Sequence, residues 1–146
     1  MDNITLLIAA YGAAVSTAAI FWEFKVWRDR TCGRVKIFVA DNMMTYSEVD
    51  GHEGPFVIFE AVNDGEKPVI ISAIWIAVRG ARSSFWLKNL ELPKKLCEGE
   101  TFAHPADRKQ FLVQLGLLGL KPPWKCKVIF RSTVGRKYKR DFVISV

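Results

Sequence analysis

A chain of 146 residues makes one ordinary domain, or one small domain with an appendage. Half of it is apolar although a quarter is charged, so the two kinds of residue must be unevenly distributed, and the net charge of +6 raises the question of where the cations lie. Its three cysteines, Cys32, Cys97 and Cys126, are odd in number and far apart, which excludes a C-x-x-C zinc or redox motif.

Residues Ile4 to Trp22 (ITLLIAAYGAAVSTAAIFW) carry no charge. As a helix rising about 1.5 Å per residue, the run is about 28 Å long, close to a hydrocarbon core of about 30 Å. A lone segment in lipid satisfies its backbone only as a helix. Residues 1–30 are therefore expected to form a transmembrane helix with its juxtamembrane flank. Trp22, Lys25, Trp27 and Arg28 are its expected interface residues, rings at the headgroup level and cations reaching outward. A cleaved signal peptide is disfavoured, because the segment begins with Asp2 rather than a cation and the apolar run is long. A buried core helix is disfavoured because there is no polar face.

Only Asp2 and the amino group precede the run, whereas Lys25, Arg28, Arg30, Arg34 and Lys36 follow it. The positive-inside rule then puts the N-terminus outside and the rest of the chain in the cytoplasm, as a single-pass protein of a bacterial inner membrane. Reduced cysteines agree with that compartment, with a Cys97–Cys126 disulfide as the alternative. Small residues recur at four-residue spacing, and Ala9, Gly12, Ala13 and Ser16 are the expected helix-association face.

From Arg34 the pattern alternates, and residues 34–146 read as one mainly β domain. Arg34–Ala40 and Pro55–Val62 are strands, with an irregular polar stretch at Asp41–Gly54 between them. Asn63–Pro68 is a turn in which Gly65 can take positive φ. Val69–Arg79 is a long, almost wholly apolar strand of the kind that fills a sandwich interior, which puts Trp75 in the core. Phe85–Leu87, the piece beginning at Leu92-Pro93, and Thr101–Ala103 are shorter extended segments. Asp107–Leu118 is helical, with Phe111, Leu112, Leu115 and Leu118 on one stripe and Gly119 and Pro122-Pro123 as its stop. Lys125–Arg131 and Lys137–Ser145 form a hairpin around Gly135. Six or seven short strands with turns between them suggest an immunoglobulin-like β-sandwich carrying one short helix.

The segments Ala61–Val69 (AVNDGEKPV), Leu92–Glu100 (LPKKLCEGE) and Val128–Tyr138 (VIFRSTVGRKY) occur in this order. Together they resemble a broad set of small bacterial and phage-associated proteins with one N-terminal span and an immunoglobulin-like sandwich. The resemblance covers roughly the whole chain. It implies a fold and a membrane anchor, and it brings no catalytic residue and no cofactor.

The chain holds no P-loop, dinucleotide loop, G-x-S-x-G elbow or internal repeat. His52 and His104 read as surface residues, and a Cys97–His104 pair lacks an orienting third group. Asp41, Glu48, Asp50 and Glu53 lack the alternation of a calcium loop. Neither an enzyme nor a metal site is expected. The basic C-terminal half is the more promising feature. Lys125, Lys127 and Arg131 share one strand face, Lys137 and Lys139 share another, and with Arg136 they can build one basic surface. Trp86, near a sheet edge, and Trp124, after the double proline, are candidate partner contacts. The expected role is a membrane-anchored interaction domain binding a protein partner or a second copy. The alternatives are an oligomerising membrane effector and a basic reader of anionic lipid; nucleic acid is not favoured.

Overall fold

The computed structural model describes residues 2–31, 33–44, 54–88 and 91–146. Helix α1 (Asn3–Thr31) opens the chain, and over Asn3–Arg28 it is long and apolar enough to cross a membrane, with none of its apolar window buried against the rest of the protein. It runs further than its apolar core, so Gly33 follows its last residue, Thr31, by only two positions.

The remainder is mainly β, in two antiparallel sheets. The first holds β1 (Val35–Met43), β2 (Phe56–Asn63) and β6 (Thr101–Asp107), in the order β1-β2-β6. The second holds β3 (Val69–Val78), β4 (Ser84–Trp86), β5 (Lys94–Leu96), β7 (Trp124–Ser132) and β8 (Lys137–Ile144). Its order is β4-β3-β7-β8, and β5 shares the β4 edge of β3 further along the strand. Helix α2 (Arg108–Leu117) links β6 to β7 across the sheets.

The core follows from alternation. On β2, Val57, Phe59, Ala61 and Asn63 point inward and are fully buried. On β7, Cys126, Val128 and Phe130 do the same. Phe59 of the first sheet meets Phe142 of the second at 5.6 Å between centroids, so the two sheets enclose one shared core. Phe111 of α2 closes one end, 5.8 Å from Phe59 and 5.5 Å from Phe85. The helix begins where the sequence suggests: the Asp107 carboxylate accepts from the backbone N–H of Lys109 and Gln110 at 2.8 and 3.1 Å, satisfying donors that the first turn leaves open.

Three departures from the sequence reading have local causes. Strand β1 runs on to Met43 through an irregularity after Ala40, where Asn42 takes φ +58°, a conformation asparagine tolerates well. Asp41 there is an ion-pair partner, accepting from Arg108 Nε at 2.9 Å; His52, Glu48, Asp50, Glu53 and Cys32 lie outside the described residues. The Asn63–Pro68 turn forms as expected but without positive φ at Gly65, because Asn63 itself organises it. Its amide donates to the carbonyls of Lys67 (2.8 Å) and Leu96 (2.9 Å), and its Oδ1 accepts from Gly65 N–H (3.0 Å). His104 alternates inward with Phe102 and is half-buried rather than a surface residue, and burial lowers its pKa below the usual histidine value. Cys97 and Cys126 are free thiols, exposed and buried respectively, and burial pushes Cys126 up to about 11.

Candidate functional site

Strand β3 carries a bulge that decides what the second sheet shows to solvent. Ile71 pairs with Ser132 and Ala73 with Arg131, so Ser72 is an extra residue, and its hydroxyl donates to the Arg131 carbonyl at 3.0 Å. Unbroken alternation from Ile71 would turn Trp75 inward. The bulge shifts the parity, so Ile74, Ile76 and Val78 are buried and Trp75 moves to the outer face. Trp75 is therefore not a core residue.

On that outer face the register sets out cross-strand rows. Trp86, Trp75, Ile129 and Lys139 form one row. The Trp75 and Trp86 rings lie 5.0 Å apart at 39°, and Trp86 is 60% exposed. The next row is Ser84, Ala77, Lys127 and Asp141, where Lys127 Nζ lies 3.5 Å from the Asp141 carboxylate. On the other side Ala73, Arg131 and Lys137 are neighbours. Arg131 and Lys137 sit directly opposite one another, a like-charge pair that weakens a sheet slightly. Lys137 Nζ lies 5.7 Å from the centre of the Trp75 ring, a cation–π contact. Further along, Ala77 floors an open cleft of about 660 Å³ whose walls include Arg79, Lys125, Lys127 and Asp141. The whole is a hydrogen-bonded sheet face with an aromatic pair at one edge and cations across it.

The sheet thus brings together Lys125, Lys127, Arg131, Lys137, Lys139 and Trp86. Two other expected residues do not join them. Trp124 is 6% exposed and its Nε1–H donates to the Leu120 carbonyl at 3.0 Å, so it anchors the start of β7 in the core and is no surface contact. Arg136 lies in the β7–β8 turn, where its guanidinium donates to the Gly33 carbonyl at 3.3 Å. On α1, Ala9, Gly12, Ala13 and Ser16 are exposed, and the Ser16 hydroxyl folds back onto the Gly12 carbonyl at 2.8 Å. Trp22, Lys25 and Arg28 are exposed at the other end of the same helix, as is Trp27.

No protein-family model matches this chain, and no curated protein matches it. Its chemistry rests on the face itself. Among the described residues, no group of three or more His, Cys, Asp or Glu is placed to hold a metal ion.

One surface went unread in the sequence. The outer face of the first sheet carries Phe38, 51% exposed, with Ala40, Ile58, Ala103 and Pro105 around Glu60. The signal was present in Phe56–Val62, which is apolar at both parities, the pattern of a strand with two apolar faces.

Proposed function

We propose that the chain is a single-pass protein of a bacterial inner membrane whose immunoglobulin-like sandwich docks an acidic protein partner on the cytoplasmic face. The observation that carries this reading is the tilted Trp75–Trp86 ring pair, its outer ring largely in solvent, set among Arg131, Lys137, Lys127 and Lys139. An exposed tryptophan on a rigid sheet loses little entropy on binding and supplies a large apolar contact. Cations around it select a complementary charge and speed encounter.

The immunoglobulin-like reading is supported by strand order. The first sheet has the A-B-E sequence of neighbours, and the second has G-F-C with an added edge strand, as in that fold. Trp124 supports it too, since its N–H returns to a carbonyl four residues upstream at the start of the F-equivalent strand, where such domains often place a tyrosine hydroxyl. The chain departs from antibody domains in having Cys97 and Cys126 as free thiols and an outward tryptophan on the C-equivalent strand. Orientation follows from Lys25, Arg28, Arg30, Arg34 and Lys36 lying on one side of the span.

The test is affinity purification of the full chain from native membranes in mild detergent. A partner that co-purifies with the parent chain and is lost with Trp86→Ala and with Lys127→Glu is expected. Retention in both variants would contradict docking on this face. A second reading, self-association in the membrane, is favoured by the exposed stripe of Ala9, Gly12, Ala13 and Ser16, whose only hydroxyl is turned back onto its own helix. Crosslinked dimers that vanish with Gly12→Leu would support it, and dimers indifferent to that change would exclude the stripe.

A further inference from the structure

The chain leaving α1 does not hang free. The Gly33 carbonyl accepts from the Tyr138 hydroxyl at 3.2 Å and from the Arg136 guanidinium at 3.3 Å. On the next residue, the Arg34 carbonyl accepts from the Asp64 N–H at 2.8 Å. Gly33 lies so close to the Val69 side chain that a Cβ there would overlap it, which is why glycine occupies the position. Two residues span at most about 7 Å of chain, so this seat is held next to the end of α1 whatever the tilt of the helix.

Around Gly33 opens a cleft of about 310 Å³ between the β2–β3 turn and the β7–β8 hairpin. Lys67 and Arg136 supply its cations, Thr133 a hydroxyl, and Ile70 and Val134 its apolar walls, with Val134 85% exposed at the hairpin tip. No carboxylate is among its described lining residues. Asp64, on the same turn, is turned to other work: Lys36 Nζ lies 2.8 Å from its carboxylate and holds its pKa below the usual carboxylate value, aided by Arg34 at 4.0 Å. A cleft with cations and a bare apolar tip, two residues beyond the end of α1, has the chemistry of a seat for a lipid phosphate and glycerol, and a tilt of α1 brings it to that level, since Thr31 lies about 13 Å past Trp22 along the helix axis.

We propose that this cleft seats the headgroup of an anionic phospholipid, with Lys67 and Arg136 on the phosphate and Val134 and Ile70 against the glycerol region. The domain then stands with this end on the bilayer and the Trp75–Trp86 face turned sideways to it. The inference rests on α1 lying in a bilayer and is independent of the acidic partner.

The full chain carrying Cys32→Ser, Cys97→Ser and Val134→Cys, labelled at residue 134 with an environment-sensitive fluorophore, is reconstituted into vesicles. Phosphatidylcholine alone is compared with phosphatidylcholine mixed with phosphatidylglycerol, and flotation reports insertion separately. The expected result is blue-shifted emission in the anionic vesicles only. Lys67→Gln should then lower the ratio of lipid-bound to free tip about fivefold, the worth of one cation near an anionic surface, while Lys127→Gln on the sheet face leaves it unchanged. Equal emission in both vesicles, or no response to Lys67→Gln, overturns the headgroup site while leaving the anchor intact. The same shift produced in phosphatidylcholine by soluble glycerophosphate overturns the lipid as its source. A chain that fails to float overturns both the anchor and the site.

Discussion

Replacing Asn63 tests how the turn beside the end of helix α1 is held. The side chain is fully buried and makes three hydrogen bonds, two from its amide to the Lys67 and Leu96 carbonyls and one to its Oδ1 from Gly65 N–H. Its own backbone adds two more ties to the β5–β6 turn, donating to the Glu100 carbonyl at 3.0 Å and accepting from Gly99 N–H at 2.8 Å. At about 1 kcal/mol net for each lost side-chain bond, Asn63→Ala should cost about 3 kcal/mol. Asn63→Asp keeps the shape but sets a carboxylate against two carbonyls. That charge is disfavoured in the folded state, so the folded pKa rises above the unfolded one and the variant loses stability as pH rises through that interval. Denaturant unfolding of the full chain in detergent, followed by the β-sheet circular dichroism signal, measures both. A loss below about 1 kcal/mol for Asn63→Ala, or an Asn63→Asp penalty that does not change with pH, would refute the claim that this amide knits the turn to β5.

Other outcomes follow from the same structure. His104 has its folded pKa lowered by burial, so the unfolded chain takes up a proton first on acidification; stability should fall as pH drops below about 6.5, and His104→Gln should flatten that slope in melts between neutral and mildly acidic pH. Cys97 should be alkylated readily at neutral pH in a Cys32→Ser background, whereas Cys126, 3% exposed with its thiol at about 11, should react only on unfolding, as mass spectrometry of the labelled chain will show. Phe59→Ala, which opens a hole where both sheets and α2 meet, should cost about 3–5 kcal/mol in the same unfolding assay.

Most of the elements were legible because their signals are local. The uncharged run from Ile4 to Trp22, the Asp107 cap with its Phe111–Leu115 stripe, and the β7–β8 hairpin with Gly135 at φ +83° each follow from residues within a few positions. The parity that aligns Lys125, Lys127 and Arg131 was readable too, and the register of β8 adds Lys137 and Lys139 to the same face. What could not be read depends on contacts between distant segments. The Ser72 bulge is fixed by pairing with β7, and it alone turns Trp75 from the core to the surface beside Trp86. Trp124 looks exposed after two prolines, yet the packing of the α2–β7 corner buries it. Arg136 looks like part of the basic sheet, and it is the return of the chain at Gly33 that draws it away.

The central claim is that the Trp75–Trp86 face is where this domain meets its partner. It is tested most directly by photo-crosslinking in native membranes, with a probe replacing Trp86 and a control probe at Val113 on the exposed side of α2. A single protein adduct from position 86, absent from position 113 and suppressed by Arg131→Glu together with Lys127→Glu, is the predicted result. Adducts of equal yield from both positions, or an adduct at 86 indifferent to the charge reversals, would contradict it.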